Sequence, residues 1–397
     1  MDTKLESQSQ IINTDAAPID LENIRHSLLT ALDSPNGQAK TKDVIRQLHE
    51  AQRRERATRE RKLLDKYGTQ IISYFAEGKE VRPNNLKPKL IPIVKPDSLE
   101  GRLFRAATLL WSVPVSRGYG RRMRYLVVDQ QNGKLVGIIG LGDPVFNLKC
   151  RDEWISWSVN QRLERLSYVF DAYVLGSVPP YSFMLGAKLV GSLVAGGEIR
   201  AEFRKRYAHT EGLISKSIKD SHLVLITTTS ALGRSSVYNR LKLPGIVNFT
   251  KIGTTDGWGH FTVTDELFRQ VRGVLKSIGD PYFNNYKFGQ GPSWRLRALR
   301  KACCILGIDE NLLRHGIKRE VYAIPLATNW REILLGRNTI PEYQSHTIRE
   351  IATAAVRRWV IPRSERTSDW SCWSRQNTWY ALTKHVFEFE RISKPEY

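Results

Sequence analysis

The sequence predicts a mixed α/β (α+β) fold, a central sheet with flanking helices and helical N- and C-terminal extensions. Three observations predict it. Residues 121–143 read as a hairpin, because RMRYLVVD and KLVGIIGLGD flank Gln131-Asn132-Gly133, and Asn-Gly is the strongest short-range hairpin turn. Residues 171–203 read as strand, turn and helix. Tyr173, Val174, Leu175 and Val178 precede Pro179-Pro180, and Leu185, Leu189, Val190, Leu193 and Val194 then recur at helical spacing. LVLITTT at 223–229 running into SALGRSSVYNRL at 230–241 repeats that order. Because a tight hairpin joins the early strands, the sheet is expected to be mixed rather than doubly wound and parallel.

The chain has 397 residues, enough for two or three domains or one large domain with extensions. With 41% hydrophobic and 10% aromatic residues it can bury a real core. Its formal net charge of +21 points to polyanions, nucleic acid before an anionic membrane surface. No apolar run is long enough to span a bilayer and the first 20 residues carry no signal-like apolar stretch, so a soluble, cytoplasmic protein is expected. Cys150, Cys303, Cys304 and Cys372 show no CxxC and no Cys/His ligand spacing, which supports neither a disulfide framework nor a zinc site.

In chain order, residues 1–40 read as a loosely ordered leader that ends in the turn-like Ser34-Pro35-Asn36-Gly37. Residues 41–97 form a basic helix and a connector. The helix runs from Thr41, a plausible cap, to about Phe75, with Leu48, Ala51, Leu63, Leu64, Ile71 and Ile72 as its apolar positions. Its interleaved Arg, Glu and Lys suit a solvated, ion-paired helix or a surface facing phosphate or a partner subunit. Four prolines among apolar residues make 80–100 an extended connector on the surface of the body. The core spans 98–285. A short helix over roughly Ser98–Ser112 precedes the hairpin, and a helix begins near Ser158 within RDEWISWSVNQRLERL. Ile246–Ile252 and His260–Val263 read as two more short strands, and Thr262 or Thr264 caps an amphipathic helix carrying Leu267, Phe268, Val271, Val274 and Leu275.

Residues 286–397 form a basic, aromatic-rich C-terminal region. A turn at GQGPS leads into a helix with Arg297, Arg300 and Lys301 on one side and Leu299, Ala302 and Leu306 on the other. A second helix covers about Thr347–Trp359 on a stripe of Ile348, Ile351, Ala352, Ala355 and Trp359. Beyond it Arg357, Arg358, Arg363, Arg366 and Arg375 alternate with Trp359, Trp370, Trp373, Trp379 and Tyr380. Arginines pair phosphates bidentately and aromatic faces stack on unpaired bases, so this segment is the candidate nucleic-acid-binding surface, together with Arg297, Arg300 and Lys301. The plainer alternative is that the tryptophans are core and the arginines merely solvated.

The turn after Pro179-Pro180 is the candidate anion site. Small residues open the following helix, and Ser182, Gly186 and Ala187 are the positions whose backbone N–H groups could face an anion. The same spacing also suits a buried strand–helix unit in which Gly186 and Gly191 permit close packing. Explicit catalytic motifs are absent: there is no GxxxxGK[ST], GxSxG or HExxH, and the eight histidines show no ligand spacing. Asp143, Asp152, Glu153 and Asp171 lie near the expected sheet, in the manner of a metal nuclease, but match no defined motif, so no metal and no obligatory cofactor are expected. Their plainer roles are helix caps for Asp152 and Glu153 and a strand-edge ion pair for Asp171.

Four stretches carry a resemblance. GDPVFNLKCRDEWISWS, DAYVLGSVPPYSFMLGAKLVGSL, TTTSALGRSSVYNRLKLPG and GPSWRLRALRKACCILGI, in that order and within about residues 100–335, resemble the DruA family of the Druantia anti-phage defence system. The resemblance implies a role in bacterial antiviral defence, as one component of a multi-protein system with a large helicase-like partner. With the net charge it makes a nucleic-acid-binding or sensing component the leading expectation, DNA ahead of RNA. The order of elements is also similar to GNAT-type acyltransferases, which implies a GNAT-like central sheet, acyl-CoA as a possible cofactor, residues 182–187 as its phosphate turn and Tyr238 as general acid. Tyr238 and Asp171 are therefore the candidate catalytic residues of an alternative, a nucleic-acid-modifying enzyme. Two positions depart from the GNAT pattern: Ser182 stands where Gln or Arg is usual, and Leu185 where the first Gly is usual. A scaffold docking an acidic partner subunit is the third option.

Overall fold

The structure is a computed structural model, and it describes residues 20–32, 41–116, 118–208, 221–255, 257, 259–284 and 294–392. The turns expected at 34–37 and 289–293, and His209, lie outside the described residues.

The leader contains a helix, α1 (Leu21–Leu32), which buries Ile24, Leu28 and Leu32. The long basic helix is two: α2 (Lys42–Leu48), capped by the Thr41 hydroxyl, and α3 (Glu50–Ser73), with the break at His49. The connector holds β1 (Pro88–Pro92), whose prolines suit an edge strand. Helix α4 (Leu99–Ala107) is capped by Ser98. The hairpin is β2 (Tyr119–Asp129) and β3 (Leu135–Asp143). Gly133 takes the left-handed φ of +70° that its turn requires. The buried Asp129 carboxylate holds that turn by accepting from the Gln131 and Lys87 amides.

Two short helices follow, α5 (Lys149–Ile155) and α6 (Val159–Arg165), the second opened by a Ser158–Gln161 capping box. Then come β4 (Val169–Ser177), α7 (Gly186–Ser192) and α8 (Gly197–Tyr207). After β5 (Leu225–Thr229) lie the small strands β6 (Lys242–Leu243) and β7 (Val247–Asn248), then β8 (Thr250–Thr254). Thr264 caps α9 (Asp265–Ser277), and α10 (Trp294–Ile305) packs beside it. The C-terminal part supplies β9 (Glu320–Pro325), α11 (Trp330–Leu334), α12 (Ile348–Ala355), α13 (Ile361–Arg366) and α14 (Arg375–Ile392).

Seven strands form one mixed sheet in the order β1-β2-β3-β4-β5-β9-β8. Every neighbouring pair is antiparallel except β4 and β5. Side chains alternate across the sheet. On one face Met123, Ile139, Phe170, Ile226 and Tyr322 pack under α7, α8 and α12. On the other, Leu126, Ile138 and Val174 pack under α3, α4 and α14. The mixed α/β sheet with flanking helices is as expected.

Three further expected elements differ. Residues 230–241 are not a helix: only a single 3₁₀ turn forms at Tyr238–Arg240. Gly233 is left-handed there, its carbonyl accepts from the Glu320 amide, and the Ser235 hydroxyl takes the amides of Val237 and Tyr238, diverting groups that a helix would pair internally. Residues 260–263 make a turn, not a strand. The helix over 347–359 widens into one turn of π-helix at Val356–Val360 before α13. Pro362 lacks the N–H that would continue the ordinary ladder to Arg358.

Candidate nucleic-acid interface

The turn between β4 and α7 is built tightly. The Ser182 amide donates to the Val178 carbonyl at 3.0 Å and the Phe183 amide to Pro180 at 3.1 Å. Leu185 N–H donates to the Tyr181 carbonyl, and Leu185 itself adopts the left-handed conformation at φ 59°. The backbone thus takes without glycine the bend for which glycine is usual. Gly186 is needed at its own position, because a Cβ there would stand 2.5 Å from the Tyr181 carbonyl oxygen. Ala187 is partly exposed on the first turn of α7. The Tyr181 hydroxyl accepts from Asn132 Nδ2 at 3.0 Å, which ties this turn to the β2–β3 hairpin.

Around that turn three chain segments bring cations together. Lys188, on α7, lies with its ammonium 5.5 Å from the centroid of the buried Trp359 ring. Its pKa is lowered, first by burial and then by the positive charges of Arg240 and Arg358. Arg240 closes the 3₁₀ turn after β5, and Arg358 sits on the π-turn. Among the described residues no carboxylate pairs with Lys188, Arg240 or Arg358. The apolar stripe of α12 and the π-turn (Ile351, Ala355, Val356, Trp359, Val360) is buried in the core shared with α7, which leaves Arg357 and Arg358 exposed. Arg363 and Arg366 continue the exposed row, and Arg363 Nε donates to the Phe183 carbonyl at 3.4 Å. The expected anion turn therefore shares a surface with two of the expected C-terminal arginines, Arg358 and Arg363, while Arg357 and Arg366 are exposed on the same stretch of chain. Lys188 and Arg240 complete it and were not anticipated, because nothing in linear order joins positions 188, 240 and 358.

Other expected residues lie elsewhere. Arg375 is bound to Glu80, Glu77 and the Phe75 carbonyl. Trp370 donates its indole N–H to the Ser364 carbonyl and packs on the core; Trp373 donates to the Thr378 hydroxyl and lies 5.1 Å from the Phe183 ring. On α10, Arg300 approaches Glu310 at 4.0 Å, Lys301 approaches Asp280 at 3.8 Å, and Arg297 lies over the Tyr282 ring. That helix belongs to a separate apolar cluster with α1 and α9.

Asp171 and Tyr238 occupy opposite faces of the sheet. Asp171 alternates with Val169 on the side of α5 and α11, where the Thr227 hydroxyl donates to it at 3.0 Å. Burial raises its pKa to about 6, against the pull of Thr227 and of the wholly buried Arg151. Tyr238 lies on the α7 side, with its ring 5.5 Å from Phe249 and 5.7 Å from Tyr322 and its hydroxyl 3.4 Å from the Leu175 carbonyl. Burial pushes that hydroxyl up to about 12. Their hydrogen-bond partners differ, Thr227 for Asp171 and the Leu175 carbonyl for Tyr238, although the Asp171 carboxylate adds to the rise in the Tyr238 pKa. Asp152 accepts the Leu148 amide at the start of α5 at 3.1 Å, as a capping residue does, and also binds Arg151, Arg162 and the Trp157 indole. Among the described residues, no group of three or more His, Cys, Asp and Glu side chains is placed to hold a metal ion, and no helix is long and apolar enough to cross a membrane.

A family model described as Druantia protein DruA matches residues 39–336. A curated relative, the Druantia protein DruA of Escherichia coli (strain UMEA 4076-1), is 45% identical over 360 residues, covering 90% of this chain and 88% of the relative. No solved structure matches the chain.

Proposed function

The chain belongs to the DruA family, and from that premise we propose that, as a component of an anti-phage defence system, it binds nucleic acid through Lys188, Arg240, Arg357, Arg358, Arg363 and Arg366. The observation that carries this reading is the clustering of Lys188, Arg240 and Arg358 with no carboxylate among the described residues to balance them. Holding like charges together costs free energy in the isolated protein, and a phosphate backbone relieves that repulsion while releasing its own counterions. The net charge of +21 adds long-range attraction. DNA is the expected polymer, met in the cytoplasm alongside a helicase-like subunit of the same system.

Filter binding of duplex DNA, single-stranded DNA and RNA across a salt series tests this. Affinity should fall linearly on a log–log plot, by about 0.9 per duplex phosphate neutralised. Absence of binding to any of the three at low salt would sink the reading. Co-purification with a protein partner that survives nuclease treatment, in that case, assigns the basic surface to an acidic subunit.

Acyl transfer is the second reading, and the fork between β4 and β5 favours it. These strands pair in parallel only from Val169 with Leu225 to Asp171 with Thr227; β4 then follows β3 while β5 follows β9. The Tyr238 hydroxyl stands beside β4 past that parting. The amides of Ser182, Phe183 and Leu185 are already committed, so the turn does not fit as a backbone cradle for the pyrophosphate of acyl-CoA. Lys188, Arg240 and Arg358 are the groups able to hold it. Calorimetry with acetyl-CoA decides: heat that disappears in Lys188→Gln supports the reading, and no heat retires it.

A further inference from the structure

Strands β6 and β7 form a two-stranded ribbon that leads out of the cation cluster around Lys188. Its residues alternate along the chain: Leu241, Leu243, Val247 and Phe249 are buried, whereas Arg240, Lys242 and Asn248 are exposed. That is the pattern of strands with one face on a core and the other on solvent. Lys242 pairs with Asn248 and Leu243 with Val247, and the Phe249 amide donates to the Leu241 carbonyl at 3.1 Å. At the tip Gly245 takes the left-handed φ of +73°, and the Ile246 amide donates to the Leu243 carbonyl at 3.0 Å.

The body holds this ribbon in place. Its apolar underside belongs to the core shared with α7 and α12. A Cβ on Gly191 of α7 would stand 2.7 Å from the Leu241 side chain, so helix and ribbon are in close contact. His346 Nε2 donates to the Gly245 carbonyl at 2.9 Å, which ties the tip to the residue before the Thr347 cap of α12. Arg240, at the entry to the ribbon, acts on Lys188 together with Arg358. The outer face is therefore continuous with the cation cluster.

The outer face carries groups that suit base edges. Among the described residues no carboxylate pairs with Lys242. The Asn248 side-chain amide donates to the Thr250 hydroxyl at 3.1 Å, which orients it. An amide so held still has a second N–H beside its carbonyl oxygen, the pair that matches N7 and N6 of adenine. A lysine ammonium matches O6 and N7 of guanine. Two strands about 4.8 Å apart fit a B-DNA major groove about 12 Å wide. The deep, narrow major groove of duplex RNA excludes side chains.

Resting on the nucleic-acid reading of Lys188, Arg240 and Arg358, we propose that the ribbon lies with its outer face in the major groove of duplex DNA. Lys242 and Asn248 contact base edges there, Thr250 orients Asn248, and Arg240, Lys188 and Arg358 hold the flanking phosphates. The test is filter binding of the full chain to four polymers of one sequence. These are duplex DNA, the same duplex with glucosylated 5-hydroxymethylcytosine, duplex RNA and single-stranded DNA. A substituent on C5 of a pyrimidine projects into the major groove, so the glucosylated duplex should bind at least about tenfold more weakly, and duplex RNA should be equally disfavoured. Asn248→Ala removes no charge, so it should weaken duplex DNA binding about tenfold with salt slope, single-strand affinity and melting temperature unchanged. Arg358→Gln should instead weaken binding to every polymer that binds. Equal affinity for plain and glucosylated duplexes, or parent-like duplex affinity in Lys242→Ala/Asn248→Ala, overturns the proposal and leaves the nucleic-acid reading standing. Absence of binding to all four polymers overturns both.

Discussion

The Thr227 hydroxyl donates a 3.0 Å hydrogen bond to Asp171 Oδ1 across the single parallel strand pair of the sheet. It contributes one good partner to a carboxylate that burial nonetheless holds near a pKa of 6, above its ordinary 3.8. Between about pH 4 and 6 the unfolded chain gives up this proton first, so this group makes stability fall as pH rises. His49 and His260 act with the opposite sign. Burial lowers both from 6.5 to about 4, so the unfolded chain takes up protons first and stability falls as pH drops from 6.5 towards 4. Asp171→Asn should therefore gain stability relative to the parent as pH rises from 4 to 6, by up to about 3 kcal/mol. Denaturant titrations at stepped pH measure this; parallel profiles for the two proteins refute it.

The basic residues should separate by function. Single Gln substitutions at Arg357, Arg358, Arg363 and Arg366 should each lower the salt slope of nucleic-acid binding by about 1, provided each contacts a phosphate. Arg375→Gln should leave the slope unchanged and lower the melting temperature, because Arg375 joins α14 to Glu77 and Glu80. Equal slope losses at Arg363 and Arg375 would contradict that division.

Gly78 should tolerate no side chain. Its amide donates to the Trp373 carbonyl at 2.8 Å, and a Cβ would stand 2.2 Å from the Ser371 carbonyl oxygen and 2.3 Å from that of Trp370. Both obstacles are backbone, so Gly78→Ala should destabilise by about 1–3 kcal/mol, read by thermal or denaturant unfolding. A variant as stable as the parent would mean that the tryptophan segment is not docked there.

Tyr238→Phe distinguishes binding from acyl transfer. The ring keeps its contacts with Phe249 and Tyr322 and loses a 3.4 Å bond to Leu175, so stability should change by about 1 kcal/mol or less. Nucleic-acid affinity should be unaltered. A large loss of affinity with normal folding would place Tyr238 in the binding surface.

Local chemistry explains which elements could be read in advance. The Asn132-Gly133 hairpin, the Ser98, Ser158 and Thr264 caps and the α9 stripe all depend on neighbours within a few residues. Strand β9 was not anticipated, although EVYAIP is short and apolar, because its place between β5 and β8 is set by partners 66 to 100 positions away. The extent of α14 was hidden by Trp379, Tyr380 and its cations, which suited a nucleic-acid surface as well as a buried helix. Trp379, which presses on Gly68 of α3, shows the second use.

By itself the sequence determined the charge, the family signatures, the mixed class of the sheet and the strand–turn–helix at 171–203, since composition, order and local periodicity are properties of the chain alone. Tertiary structure alone decided which cations share a surface. It set Lys188, Arg240 and Arg358 together, drew Arg375 into ion pairs, and gave Asp171 and Tyr238 different hydrogen-bond partners. The physical reason is that a strand's alternation fixes two faces but not what covers them. Burial of the α12 stripe against α7, an energy spread over many distant apolar contacts, chose the face on which the arginines emerge.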